Sequence, residues 1–227
     1  MVFEIESNKD ANILRIFVIR HGQTQFNLDK ILQGHIDIDL NDTGRKQAEL
    51  VGETFKNIDL DGITTSDLFR CQNTVKEITK YKKEIPVTKT YNFREREMGQ
   101  VQGMKLQEAL KMFGPEYKNQ GEGRELFLQR VRGEWKSLVD TAIEKNYLNY
   151  GVCTHGGVIT SFLNYLHSHE GYKLGEGLTE GDLKVPFNTS VSVIDINKTT
   201  RDAVIQDFGN TKHLGSNHLQ VKEQRLR

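Results

Sequence analysis

Residues 13–24 read Ile13-Leu14-Arg15-Ile16-Phe17-Val18-Ile19-Arg20-His21-Gly22-Gln23-Thr24, and this stretch decides the fold. From Ile13 to Ile19 the run is apolar except for Arg15, and four of its seven residues are β-branched. Such a run reads as a strand buried on both faces, as in a parallel sheet. It stops at Arg20-His21-Gly22, where the chain turns polar. The pattern recurs at Tyr150–Thr154, a second strand that again ends in His-Gly, at His155-Gly156.

Working outward, helices fall between strands. Thr43 reads as a helix N-cap, followed by Ala48, Val51, Phe55 and Ile58 at spacings of three and four, the stripe of an amphipathic helix. Ile63–Thr65 is a short strand, Asp67–Tyr81 a second helix, and Pro86–Thr90 a further strand. Residues 99–123, rich in Gly and Gln, read as loops with a short helix over Leu106–Phe113. Glu125–Glu144 carries an apolar face of Phe127, Val131, Trp135, Leu138 and Ala142. Another helix follows His155, and Val191–Ile196 and Ala203–Phe208 pair across Asn197-Lys198-Thr199-Thr200. The alternation predicts an α/β, three-layer sandwich with a mostly parallel central sheet flanked by helices.

Composition sets outer limits. The chain has 227 residues, 31 Lys+Arg against 31 Asp+Glu, and zero formal net charge. That length buries about 70% of the unfolded surface, so folding needs no disulfide or metal staple. The charge balance gives no global attraction for nucleic acid or an anionic membrane, so neither is expected as a partner. No apolar run approaches the ~18 residues of a membrane span. Cys71 and Cys153 have neither metal nor redox spacing and read as buried thiols of a reducing compartment. The opening residues lack a signal-peptide pattern. Asn41, Asn188 and Asn197 therefore carry no meaning as glycosylation triplets. The expected location is the cytoplasm, with the nucleus also open. Residues 1–11 are polar and aperiodic and are expected to form a mobile tail; residues 12–227 form one domain.

In parallel sheets ligands sit beyond the carboxyl ends of the strands. Two strands ending in His-Gly therefore put His21 and His155 on one rim, beside helix N-termini that favour an anion. Arg20 adjoins the first histidine, Thr24 and Asn27 add polar groups, and Arg70 lies early in the helix after a third strand. These parts suit a phosphate monoester, a dianion near neutral pH. Arginine forks bond two phosphoryl oxygens and keep their charge. Neutral imidazole offers a lone pair as nucleophile. A departing alkoxide needs a proton, which a desolvated carboxylic acid can supply.

The bland readings are real. A lone histidine after a strand is more often structural than catalytic, and Glu95 could be a solvated loop acid. Gln23, Thr24 and Gln33 could shape a loop rather than touch substrate. His167 and His169 read as a solvated helix end, Trp135 as core, and His35, His213 and His218 stay unassigned.

With IRHGQTQFN (19–27), LQG (32–34), LNDTGRKQA (40–48), TSDLFRCQNT (65–74), FREREMGQVQG (93–103), CTHGG (153–157) and FNTSVSVI (187–194) in this order, the sequence resembles the histidine phosphatase superfamily, in its phosphoglycerate-mutase-like branch. The resemblance extends from residue 13 to about 214. It implies that 12–227 is a single catalytic domain needing no cofactor and no metal, acting on a small phosphorylated metabolite with broad specificity. It also implies roles. His21 takes the phosphoryl group as a phosphohistidine that water hydrolyses. Arg20, Arg70 and His155 clamp the phosphoryl oxygens, and Asn27 adds a hydrogen bond. Glu95 is the acid and then the base, chosen over Glu97 because it follows a Phe-Arg pair. Gln23, Thr24, Gln33, Gly34 and Gly156 are assigned to the substrate's surroundings. The alternatives are a phosphoglycerate mutase, a fructose-2,6-bisphosphatase, a phosphoprotein phosphatase, or a non-catalytic phospho-ligand binder. Segment 98–125 has one proline, no paired arginines and a single Arg124, which favours phosphatase over mutase. Specificity is expected in 98–125 and 170–186. Oligomeric state is not legible.

Overall fold

The computed structural model describes residues 4–82 and 84–215; the unassigned His218 and the first three residues of the expected tail lie outside them. In chain order the elements are β1 (Ile13–Arg20), α1 (Gln25–Leu28), α2 (Asp42–Phe55), β2 (Gly62–Ser66), α3 (Phe69–Thr79), β3 (Val87–Thr90), α4 (Leu106–Phe113), α5 (Arg124–Glu144), β4 (Asn149–Thr154), α6 (Gly156–His169), β5 (Lys173–Leu174), β6 (Val191–Asn197) and β7 (Ala203–Asn210). The strands form one sheet in the order β3-β2-β4-β1-β6-β7-β5. β1 pairs parallel with β4, setting Ile19 beside Cys153 and Arg20 beside Thr154. This register brings the two His-Gly corners to one level. β6 and β7 run antiparallel, joined by a turn in which Asn197 Oδ1 accepts from the backbone of Thr199 and Thr200.

β1 shows why three layers form. Successive strand side chains point to opposite faces. Leu14, Ile16 and Val18 join one cluster with Phe127, Val131 and Trp135 of α5 and Phe162 of α6. Phe17 and Ile19 join the other, with Val51 and Phe55 of α2 and Val75 and Ile78 of α3. Phe17 meets Phe55 edge-on at 5.3 Å, and Trp135 meets Phe162 at 5.5 Å. Both aromatic pairs have the tilted geometry that ring quadrupoles favour. Trp135 is core, as the stripe indicated, and Cys71 and Cys153 are buried free thiols. Among the described residues no helix is long and apolar enough to cross a membrane.

Several local expectations are corrected. α2 is capped by Asn41, whose Oδ1 accepts from the Gly44 N–H at 2.8 Å, and not by Thr43, which lies inside the helix. α3 begins at Phe69, after an extended Leu68, and not at Asp67, whose carboxylate accepts from Arg94. Between β1 and α2, where the chain turns polar, lies the short helix α1. The stretch 170–186 holds the two-residue edge strand β5, which pairs with β7. Within the segment set aside as a tail, Asn8 is buried: its backbone N–H donates to Asn149 Oδ1 at 2.7 Å, and its Nδ2 donates to the Ile13 carbonyl at 2.8 Å.

The capping assignment has a direct test. Asn41→Ala is expected to cost about 1 kcal/mol, lowering the thermal midpoint by about 2–4 °C. Thr43→Ala is expected to leave it within about 1 °C. Thermal unfolding of both variants, followed by circular dichroism, makes the comparison.

Candidate active site

The end of β1 delivers Arg20 and His21. The turn that follows is tight because α2 lies against it: a Cβ at Gly22 would come 2.6 Å from the Gly44 carbonyl oxygen. Hydrogen bonds fix the corner from three sides. The His21 N–H donates to the Thr154 carbonyl at 3.0 Å. The Gly22 N–H donates to Thr74 Oγ1 at 3.0 Å. The His21 carbonyl accepts from Asn188 Nδ2 at 2.9 Å and from the Thr189 N–H at 3.3 Å.

The His21 ring is buried and its Nδ1 donates to the Gly22 carbonyl at 2.7 Å. Nε2 is therefore left with the lone pair of a neutral ring. Burial, aided by Arg70 and Arg20, holds its pKa well below the usual 6.5. His155, the N-cap of α6, lies 5.1 Å away ring to ring and is depressed for the same first reason.

His155 lines the cavity and also holds a neighbouring cation. Its Nδ1 accepts from Arg70 Nε at 3.1 Å, and its Nε2 donates to Ser66 Oγ at 2.9 Å. Both ring nitrogens are engaged, so the ring anchors the arginine. Arg70 is almost wholly buried, and its Nη1 and Nη2 donate to the Ile36 and Gly34 carbonyls at 2.8 and 2.9 Å. Arg20 donates to the Pro186 carbonyl and lies against Gly156, where a Cβ would approach its Cζ to 3.1 Å. Burial lowers the pKa of both guanidinium groups, that of Arg20 to about 10, so both stay charged at neutral pH.

These groups line one cavity of about 210 Å³ with Glu95, Asn27, Gln33, Gly34 and Gly156. Glu95 Oε2 accepts from the Gly157 N–H and Oε1 from the Arg96 N–H, both at 2.9 Å. Glu97 turns elsewhere, its Oε1 accepting from the Gly99 N–H at 2.7 Å. Gln23 and Thr24 do not line the cavity. Gln23 ties the corner to α2 through Gln47 and Asn41. Thr24 and Asn27 form a reciprocal cap at the start of α1, with both backbone N–H bonds at 3.1 Å.

The mouth is built from segment 98–125. Met98, Tyr117 and Lys118 line the cavity, while from 170–186 only Val185 does among the described residues. This lid has its own small core, with Leu32, Val101 and Ala109 packed against Met98, Leu106, Phe113 and Tyr117. Ser66, Gly157 and Asn188 were not read from the sequence as site residues, although each sits inside a quoted motif. His35, unassigned from sequence, donates from Nε2 to the Glu95 carbonyl at 2.7 Å.

Comparison with known proteins agrees with this geometry. The model of the histidine phosphatase superfamily, branch 1, matches residues 16–207. A broad-specificity phosphatase of Saccharomyces cerevisiae is 36% identical over 230 residues, covering 97% of this chain and 96% of that one. A probable phosphatase of Schizosaccharomyces pombe is 33% identical over 204 residues, covering 89% and 96%. Among solved structures, a phosphoglycerate mutase from Bacillus anthracis superposes with a TM-score of 0.77 at 23% identity, covering 90% of this chain and 96% of that one, a likeness of fold. The chain belongs to the histidine phosphatase superfamily and is a phosphatase.

Two outcomes follow from the site's packing. A Cβ at position 157 would overlap the Glu95 carboxylate, the movable end of a flexible side chain. Gly157→Ala is therefore expected to keep its thermal midpoint while kcat falls by about tenfold or more, because small misplacements of reacting groups are costly. The buried rings of His21, His155 and His213 have folded pKa values below 6.5, that of His213 about 4. The unfolded chain takes up their protons first, so their contribution is complete above about pH 6.5 and declines as pH falls below it. Thermal midpoints measured from pH 7.5 down to 5 are expected to drop, mostly below 6.5.

Proposed function

We propose that this phosphatase hydrolyses small phosphomonoesters of varied structure through a phosphohistidine at His21. One observation carries the reading: a neutral imidazole, two buried guanidinium groups and a carboxyl group share one cavity of about 210 Å³. Burial keeps His21 nucleophilic where a solvated histidine would begin to protonate.

In the first step His21 Nε2 bonds to phosphorus as the ester oxygen departs. Arg20 and Arg70 neutralise the charge spreading over the phosphoryl oxygens. His155, held by Ser66, keeps Arg70 in place, and Asn27 adds a hydrogen bond. Glu95 gives its proton to the leaving oxygen. Two backbone N–H groups, from Gly157 and Arg96, hold its carboxyl group at the cavity wall. In the second step Glu95, now a carboxylate, takes a proton from water as the water oxygen attacks phosphorus and the P–N bond breaks. The enzyme returns to its starting state without a cofactor. Fixed guanidinium charge fills the role a metal ion has in other phosphatases, so the reaction is metal-independent.

Water rather than a second hydroxyl is the acceptor. The phosphatase names of the two fungal relatives, each covering most of this chain, support this. The wide range of substrates rests on the first of them. The family match over residues 16–207 supports 12–227 as one catalytic unit. The free thiols Cys71 and Cys153 support a cytoplasmic setting.

Purified protein is expected to hydrolyse p-nitrophenyl phosphate at an unchanged rate in excess EDTA. His21→Ala is expected to abolish turnover while retaining the circular dichroism spectrum. Brief reaction of the wild type with a labelled substrate is expected to leave acid-labile, base-stable label on His21. Label on serine or cysteine, or turnover in the variant, would refute the scheme.

A further inference from the structure

Arg130, on the inward side of α5, directs every N–H of its guanidinium at one loop and its support. Nη1 donates to the Asn92 and Arg94 carbonyls at 2.7 and 2.9 Å. Nη2 donates to the Glu95 carbonyl at 2.9 Å and to Glu122 Oε2 at 2.8 Å. Nε donates to Glu122 Oε1 at 2.7 Å. The group lies over the Phe127 ring at 5.0 Å and the Tyr91 ring at 5.7 Å. Its side chain is 11% exposed and that of Glu122 is 14% exposed.

The contacts are selective. The guanidinium touches the backbone that carries Glu95 and does not touch its carboxylate, which is held separately by Gly157 and Arg96. Glu122 also braces the loop, because its backbone N–H donates to the Glu97 carbonyl at 2.9 Å. Three carbonyls facing one way need a cation with a wide, planar set of donors. Lysine has three donors on one atom and cannot span them.

We propose that Arg130 is a positioning residue for proton transfer: it fixes the 92–95 backbone so that the Glu95 carboxyl meets the leaving oxygen. This rests on the reading of Glu95 as the acid. If so, loosening Arg130 harms the step that needs a proton and spares binding of the phosphoryl group.

The test uses Arg130→Lys in the full chain, with p-nitrophenyl phosphate as a good leaving group and an alkyl phosphate such as glycerol phosphate as a poor one. Arg130→Lys is expected to lower kcat on the alkyl ester about tenfold or more, consistent with loss of general-acid catalysis, and on the aryl ester by less than about threefold. KM is expected to change little. In the Glu95→Gln background the same change is expected to add nothing further, since residues acting through one another are not additive.

Equal slowing of both esters by Arg130→Lys, or full additivity with Glu95→Gln, would overturn the proposal. If Glu95→Gln itself slows both esters equally, the acid assignment falls, and the positioning role with it. Should Arg130→Lys fail to fold, Glu122→Gln loosens the same guanidinium from outside the loop. It is expected to show the same leaving-group dependence at smaller amplitude, and its absence would count against the role.

Discussion

Two guanidinium groups and two imidazoles are buried together where β1, β2 and β4 end. Everything else near the site follows from the cost of keeping charge out of water. Desolvation lowers Arg20 and Arg70, yet arginine starts so high that both remain cations. The same desolvation, reinforced by those cations, leaves His21 and His155 neutral. One physical cause therefore sets both the fixed positive charge of this cavity and the free lone pair of its imidazole. Backbone carbonyls of Gly34, Ile36 and Pro186 supply compensating dipoles without adding negative charge that would repel substrate.

The fold makes this burial tolerable by crowding rigid elements around it. β1 and β4 are central strands with their backbones paired on both sides. Gly22 and Gly44 let the His21 corner press against α2. Behind the corner Thr189 adopts a left-handed conformation at φ 55° and lends its N–H to the His21 carbonyl. His213 reaches Thr189 Oγ1 at 3.1 Å, so the segment after β7 braces the same loop from the far side. A polar cluster held this way is organised before substrate arrives, which is the condition for electrostatic catalysis.

Much of this was legible in the sequence. The apolar runs ending in His-Gly located the sheet and its rim, and the helix stripes located both outer layers. That His21, Arg20, Arg70, His155 and Glu95 would gather on one cavity was readable, because their side-chain types stand at the ends of strands or beside them. What stayed hidden was set by geometry rather than residue type. Asn41 and Thr43 are both good caps, and only the path of the chain into α2 selects the first. Gln23 and Thr24 look like ligands in a motif, but their side chains turn back to knit the corner to its neighbours. β5 is two residues long and carries no periodic signal. Arg130 acts on carbonyl oxygens, and every residue has one, so its 35-residue reach to Glu95 leaves no mark in composition or spacing.

The lid's separate core uncouples the mouth of the cavity from the sheet. Leu32, Val101 and Ala109 pack only with lid neighbours in that cluster and share no residue with the two large clusters on the sheet. Changes in this patch can therefore reshape the cavity wall that Leu32, Met98 and Tyr117 help to form without repacking either face of the sheet.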